Sequence, residues 1–255
     1  MTNFFTKLFQ GYHGQNAEVT NDVFEPKFEN LNFFLRGLGQ LDNVSAETMI
    51  KEITEDEVKL AIEKSKGNKS PGLDGITYEF YKKSKDSLIP IMTEIFNEQL
   101  GRLKLAESNK VGVTRLLSKV SPTSVPLVTE LRPITLLNCD YKLLSMIIAS
   151  RLNSVLPQLI KSNQSCGINN ICSSVFNILS LVNNIELRGG KAAIMSLDLF
   201  KAYDRVSLLY LQQVLRSMKL DQVFIDWILL LHDGAKTRLL MDFLTDPISI
   251  TFSVR

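Results

Sequence analysis

Asp198 stands at the end of an apolar run, Lys191-Ala-Ala-Ile-Met-Ser-Leu197, and opens the segment Asp198-Leu-Phe-Lys-Ala-Tyr-Asp-Arg-Val206. A carboxylate at the C-terminal end of a buried strand sits at the rim of a sheet. The framework there is rigid and the surface open, so ligand and metal sites collect at such rims. The same carboxylate also fits a plain structural role, capping the turn that follows. Tyr203 has the residue type of a core aromatic on the first turn after the strand. Asp204 reads as a partner for a neighbouring Arg or a cap for the next helix. A second segment, Ser70-Pro-Gly-Leu-Asp-Gly75, is rich in breakers. Its Gly72 and Gly75 offer positive-φ freedom, and Asp74 can close an Asx-turn between two helices.

The elements that must position these residues follow from periodicity. Thr54 and Glu57 form a capping-box pair, and Val58, Ala61 and Ile62 then mark one helical face that should end near Gly67. A second helix is expected from Thr77 to about Leu100, in two pieces around Pro90. Residues 111–120 read as a strand, 121–130 as a Pro/Ser/Thr loop and 132–136 as a short strand. Asn138 can cap the long helix marked by Leu144, Ile147, Ile148, Leu152 and Val155. A helix over 171–187 stops at Gly189-Gly190, and 191–197 reads as a buried strand ending on Asp198. Helices near 207–218 and 221–232 precede strands near 236–243 and 248–254, while residues 1–50 read as a lead-in of short helices. The pattern is α+β, with helices clustered early and strands scattered.

Composition removes several classes of function. The chain has 255 residues and 45% hydrophobic content, enough for a sizeable core, and 29 Lys+Arg against 27 Asp+Glu leave a net charge of +2. That balance argues against a generic polyanion binder and leaves room for a local basic groove. Cys139, Cys166 and Cys172 are an odd set without CxxC, which excludes a disulfide scaffold and a structural zinc site. No apolar run reaches the roughly 18 residues of a membrane span, and the first segment is too interrupted for a secretory signal. An intracellular protein, nuclear or cytoplasmic, is expected. There is no phosphate-binding Gly loop, nucleophile elbow or histidine cluster for an unrelated soluble enzyme.

The segment LDLFKAYDRV resembles the first catalytic motif of reverse transcriptases of the LINE type, encoded by non-LTR retrotransposons. Further resemblances come in the family's order. KSPGLDGITYEFYK (69–82) is similar to the opening of the fingers, and LLSKV (116–120) with LRPITLLNCDYKLLSMIIASRL (131–152) to the following block. NQSCGI (163–168) is similar to the Gln-containing entry to the next helix, and TFSVR (251–255) to the stem of V-R-Q-G-C-P. Five ordered matches are far more specific than any one of them.

The resemblance implies a right-hand polymerase fold of fingers and palm, with an RNA template, a DNA primer and deoxynucleoside triphosphates as partners. It implies that Asp198 binds the two catalytic Mg²⁺ ions, with the Leu199 carbonyl joining the shell, and that these ions activate the primer 3′-hydroxyl and stabilise the leaving pyrophosphate. Tyr203 matches the aromatic beneath the nucleotide sugar, where a ring excludes a 2′-hydroxyl. Arg132 and Lys119 match the basic fingers positions near the incoming triphosphate, where charge-assisted donors are needed. A solvated strand-edge charge is the alternative for both. Lys201 contacts the triphosphate or covers its turn, and Gln164 matches a template-side position.

Several departures qualify these implications. The Gly-Arg pair expected after the Gln motif is replaced by Ile168-Asn169-Asn170-Ile171, and Ser118 stands where the family has Pro. The second catalytic motif, an aromatic-x-Asp-Asp turn, does not occur in the 255 residues. One carboxylate holds Mg²⁺ weakly, since the ion gives up water reluctantly. The expectation is therefore a fragment: a lead-in over 1–50, then fingers and early palm over 51–255, cut before the Asp-Asp motif and lacking the rest of the palm and the thumb. Such a chain is expected to be inactive in DNA synthesis by itself and, with unpaired strand edges near 236–254, poorly soluble. The alternative reading is a non-catalytic remnant that binds RNA or an RNA–DNA hybrid through a groove around Lys119, Arg132, Lys142 and Arg151.

Overall fold

The computed structural model describes residues 35–118, 131–160, 174–189, 206–241 and 243–250, together with Lys191, Ala193, Met195 and Leu197. Helix α1 (Asn43–Met49) starts at Asp42, whose side chain accepts from the Ser45 backbone N–H at 2.9 Å. Helix α2 (Glu55–Lys64) starts at the expected capping box: the Glu57 N–H donates to Thr54 Oγ1 and the Thr54 N–H to Glu57 Oε2. Its Val58, Ala61 and Ile62 are buried as their spacing requires. The helix stops at Ser65, before Gly67, and Lys82 Nζ donates to the freed Ser65 carbonyl at 2.6 Å.

The next helical stretch does divide, but not at Pro90. It breaks at Ser84, between α3 (Tyr78–Lys83) and α4 (Lys85–Gly101), and Pro90 lies inside α4. Proline removes one N–H from the ladder and orphans the carbonyl four residues back. Pro90 and Asp86 are both exposed, so water can satisfy that carbonyl and the helix need not break there.

A 3₁₀ turn (Glu107–Lys110) leads into strand β1 (Val111–Ser118), which pairs antiparallel with β2 (Leu131–Leu136). Helix α5 (Cys139–Leu159) follows, with Asn138 at the N-cap position. Its side chain does not cap the helix and instead donates to the Ser108 carbonyl at 3.1 Å. Helices α6 (Ser174–Leu187), α7 (Leu208–Ser217) and α8 (Gln222–Leu230) precede strands β3 (Lys236–Leu240) and β4 (Ile248–Ser249). Apolar faces of α2, α3, α4, α5, α7 and α8 meet in one core, in which Ile62, Phe96, Leu143, Leu144 and Phe224 are fully buried. Helix α5 is its spine, and Tyr141 Oη ties it to α8 by donating to the Leu231 carbonyl at 2.6 Å. Among the described residues no helix is long and apolar enough to cross a membrane.

The sheet order is β2-β1-β3-β4, with β1 and β3 parallel and β3 and β4 antiparallel. Strand β3 is paired with β1 along its whole length and with β4 at Lys236 and Thr237, so of the open edges expected near 236–254 these two positions are closed on both sides. Edge strand β2 carries Pro133, which has no N–H to offer a further strand. The expected strand over 191–197 is not seen at its described positions. Lys191, Ala193, Met195 and Leu197 are unassigned and exposed, the last two at 81% and 83%. An apolar run becomes a buried strand only where other elements cover it, and among the described residues none pairs with these four. The expected loop at 121–130 and most of the lead-in, residues 1–34, lie outside the described residues.

Candidate functional site

Side chains alternate across a strand, so the β1–β2 and β1–β3 registers decide which residues share a face. Arg115 opposes Ile134 and Leu240, Leu117 opposes Arg132, and Val113 opposes Leu136 and Arg238. Lys236, opposite Val111, belongs to the same set. One face thus carries Arg115, Arg132, Lys236 and Arg238, every cation of the four strands, and those strands contain no Asp or Glu. Arg115, Arg132 and Lys236 are exposed, while Arg238 is half-buried and donates through Nε to the Thr245 carbonyl at 2.9 Å. Among the described residues the side chains of Arg132 and Arg115 have no hydrogen-bond or ion-pair partner. Exposed Leu117, Ile134 and Leu240 lie between the cations. A near-neutral chain has therefore gathered a patch of one sign on one sheet face, the kind of surface that attracts a polyanion.

The opposite face is covered. Thr114, Thr237 and Leu239 are fully buried there, and Leu131, Leu239 and Ile248 form a small second core. Thr114 Oγ1 lies 2.7 Å from Thr135 Oγ1 and 2.6 Å from Thr237 Oγ1, so three hydroxyls run in a row across β2, β1 and β3.

Beside the sheet, the 70–75 segment packs on the start of α5. The Ile76 N–H donates to Asp74 Oδ1 at 3.1 Å, the expected Asx-turn, and Gly75 has φ +71. Gly72 is a glycine for another reason than positive φ. A Cβ there would lie 2.5 Å from the Asn138 backbone nitrogen and 2.7 Å from its Cα. Burial, and secondarily the Asp74 charge, push the Asp140 carboxyl up, although the Tyr141 N–H donates to it at 2.7 Å. With its amide turned to donate, Asn109 also bonds both Asp140 oxygens, at 3.0 and 3.1 Å. Among the described residues no group of three or more His, Cys, Asp or Glu could hold a metal ion.

The groove drawn around Lys119, Arg132, Lys142 and Arg151 is not a single free surface. Arg151 is 10% exposed, and all five of its N–H donors are engaged. Nε and Nη2 bond the Glu57 carboxylate, each at 2.7 Å, and Nη1 and Nη2 reach the carbonyls of Met49, Lys51 and Glu52. Its guanidinium also lies 5.9 Å from the centre of the Trp227 ring. Burial alone would raise the Glu57 carboxyl, but hydrogen bonds from Arg151 and Thr54, with the Arg151 charge, hold it below its ordinary value. Lys142 places its ammonium 5.1 Å from the centre of the Tyr78 ring. Of that set, Arg132 alone is both described and free.

Lys119, Gln164, Asp198, Leu199, Lys201 and Tyr203 lie outside the described residues, and so does Asp204. Sequence reasoning missed Arg115, Lys236 and Arg238. The i, i+2 spacing of Lys236 and Arg238 was the available signal, but their meeting with Arg115 depends on a parallel pairing that no local pattern encodes.

A separate cavity of about 600 Å³ at the end of α8 is lined by Leu208, Asp226, His232, Asp233, Lys236 and Ser249, among others. Burial lowers the His232 pKa, so its imidazole there is neutral near pH 7.

Residues 119–242 match the family model described as reverse transcriptase (RNA-dependent DNA polymerase). Over 222 residues, 86% of its length, the chain is 32% identical to the transposon TX1 uncharacterized 149 kDa protein of Xenopus laevis. The aligned part is 17% of that protein, so the chain spans less than a fifth of the curated relative it matches.

Proposed function

From the premise that the chain belongs, over residues 119–242, to the reverse transcriptase (RNA-dependent DNA polymerase) family, we propose that it supplies the fingers and the first part of the palm of an RNA-directed DNA polymerase. The parent protein is read as that of a LINE-type, non-LTR retrotransposon, and residues 1–50 as a lead-in to a domain over 51–255. The observation that carries this reading is positional. Every residue assigned a role, Lys119, Arg132, Gln164, Asp198, Leu199, Lys201 and Tyr203, falls inside the matched span of 119–242.

The roles follow from chemistry. Reverse transcriptases work with divalent metal ions, and Mg²⁺ is the ion proposed here, with Asp198 and the Leu199 carbonyl among its ligands. When bound, it lends Lewis-acid charge to the attacking and leaving oxygens. The 255 residues contain no Asp-Asp pair, and among the described residues no group of three or more His, Cys, Asp or Glu could hold a metal ion. What this chain's own residues do is bind and orient. Arg132, exposed on the same face as Arg115 and with no side-chain partner among the described residues, offers a forked donor to a phosphate, with Lys119 and Lys201 as further cations. Tyr203 is assigned the place under the sugar, where a ring would select the deoxynucleotide by sterics, and Gln164 a template-side role.

A second reading, non-catalytic binding of RNA or an RNA–DNA hybrid, is favoured by the same basic sheet face, which needs no metal to hold phosphates. Asp198 separates the two. In a protein that carries this chain together with an aromatic-x-Asp-Asp segment, Asp198→Asn is expected to abolish primer extension on an RNA template while leaving hybrid binding intact. Extension by Asp198→Asn at a rate near that of the unsubstituted protein would overturn the catalytic reading. The binding reading then stands if charge reversal at Arg132 weakens hybrid binding.

A further inference from the structure

We propose that Thr114, Thr135 and Thr237 are positioning residues: their hydroxyl row fixes the register of β2 and β3 on β1, and so fixes where the cations stand on the opposite face. This rests on the reading that the basic face holds phosphates.

The problem the row solves is visible in the connections. A tight hairpin turn sets register through its own geometry, but β1 and β2 are joined by residues 119–130. Strands β1 and β3 are farther apart still, with α5, α6, α7 and α8 between them in the chain. Register must then come from side chains. On the cation face the pairs are Val113 with Leu136, Arg115 with Ile134 and Leu117 with Arg132. A shift of two in one direction would oppose Arg115 and Arg132 and is disfavoured by like charge. In the other direction it sets Arg115 against Leu136 and Leu117 against Ile134, apolar partners that do not forbid it. The covered face is different. Thr114 and Thr237 are fully buried, and a buried hydroxyl without a partner is costly, whereas a paired one is not. Thr114 opposes Thr135 directly, and Gly112 leaves the room this needs, since a Cβ there would lie 2.5 Å from Thr135 Cγ2. Moving β2 by two residues would set Thr114 against Pro133 or Leu137, and its bond to Thr135 would be lost.

The consequence falls on the far side of the sheet. A shift of one residue turns Arg132 onto the covered face. A shift of two keeps it outward but moves it about 7 Å along the strand: opposite Arg115 in one direction, and away from Arg115 and Arg238 in the other, the direction that opposes Leu117 and Ile134.

The test replaces the row by shape-matched apolar residues in the full 255-residue chain: Thr114→Val, Thr135→Val and Thr237→Val together. Removing all three hydroxyls leaves none unsatisfied, so the triple variant is expected to fold with an unchanged circular dichroism spectrum. Register is read by oxidative trapping of introduced cysteines, mapped by peptide mass spectrometry. The pair Arg115→Cys with Ile134→Cys is directly opposed in the observed register, and Leu117→Cys with Ile134→Cys only after a two-residue shift. With the threonines present, only the first pair should close. In the triple-valine background the second should close as well, whereas Thr114→Ser with Thr135 and Thr237 left in place should keep the selectivity.

Binding of a single-stranded RNA oligonucleotide, measured against salt on proteins without the cysteine pairs, should be at least tenfold weaker for the triple variant. Its logarithmic salt slope should be smaller by about 0.7 for each phosphate that is no longer neutralised. Trapping confined to the first pair in the triple variant, or unchanged binding despite mixed register, overturns the proposal. If the triple variant unfolds, Thr135→Val alone carries the same comparison, because Thr114 and Thr237 remain paired. Salt-independent RNA binding by the unsubstituted chain would count against the face, not the row, which the trapping experiment still decides.

Discussion

The helical layer and the sheet are held together by different means. The helices share one apolar cluster running from Leu41 to Leu230, whereas the second cluster, on the sheet, has three buried members, Leu131, Leu239 and Ile248. The sheet adds buried hydroxyls where the helices add more carbon. Cations follow the same division. Arg151, between α1, α2 and α8, has every donor engaged, while the side chains of Arg115 and Arg132 have no partner among the described residues. An arginine is a fastener where carbonyls and a carboxylate surround it, and a ligand for something else where nothing does. Its type and spacing in the chain do not say which.

The comparison would be broken most readily in the cores. Phe224 is fully buried among the helices, and Phe224→Ala should cost about 3–5 kcal/mol, measured by urea unfolding. Leu239→Ala, equally buried but in the smaller cluster, should fall near the low end of the large-to-small range, about 2–3 kcal/mol. If Leu239→Ala proved the more damaging, the sheet rather than the helical layer would be the mainstay of the fold.

Of similar size is Arg151→Ala, which strands the partly buried Glu57 carboxylate and three carbonyls and should cost about 3 kcal/mol at neutral pH. The pH dependence gives the sign. The Glu57 pKa is depressed in the folded chain, so its contribution is fully present above its ordinary value of 4.5 and is lost as pH falls through the folded value. Unfolding of both proteins at about pH 7 and about pH 3 should show the deficit narrowing in acid. A deficit equal at both pH values would assign the effect to packing against Trp227 instead.

Smaller again is Thr54→Ala, which removes the acceptor for the Glu57 N–H and should lower stability by about 1 kcal/mol, read as a shift in the urea midpoint. That cap was legible because Thr54 and Glu57 are three residues apart and need no tertiary partner. The faces of α2 and α5 were legible for the same reason. Arg151 was misread because its partners lie some hundred residues earlier in the chain. Gly72 was credited with a positive φ because its spatial neighbour, Asn138, cannot be guessed from the turn alone. For the site, the motif order led to the family, but a motif does not place side chains. The basic sheet face exists only through the β1–β3 pairing, which joins distant segments.

Arg132→Gln has the smallest expected effect on the fold and sharpens the comparison most. The side chain is exposed and without a partner among the described residues, so unfolding should change by less than about 0.5 kcal/mol. Binding should respond all the same. A cation that neutralises one phosphate of a single strand releases about one counterion, so its removal should lower the logarithmic salt slope by about 0.7. Lys142→Gln is the internal control, because its ammonium already sits over Tyr78 and a solvated phosphate contact is not its assigned role. A slope that falls for Lys142→Gln and stays fixed for Arg132→Gln would move the phosphate-binding surface from the sheet to the helices. It would also reverse the division of labour on which the comparison rests.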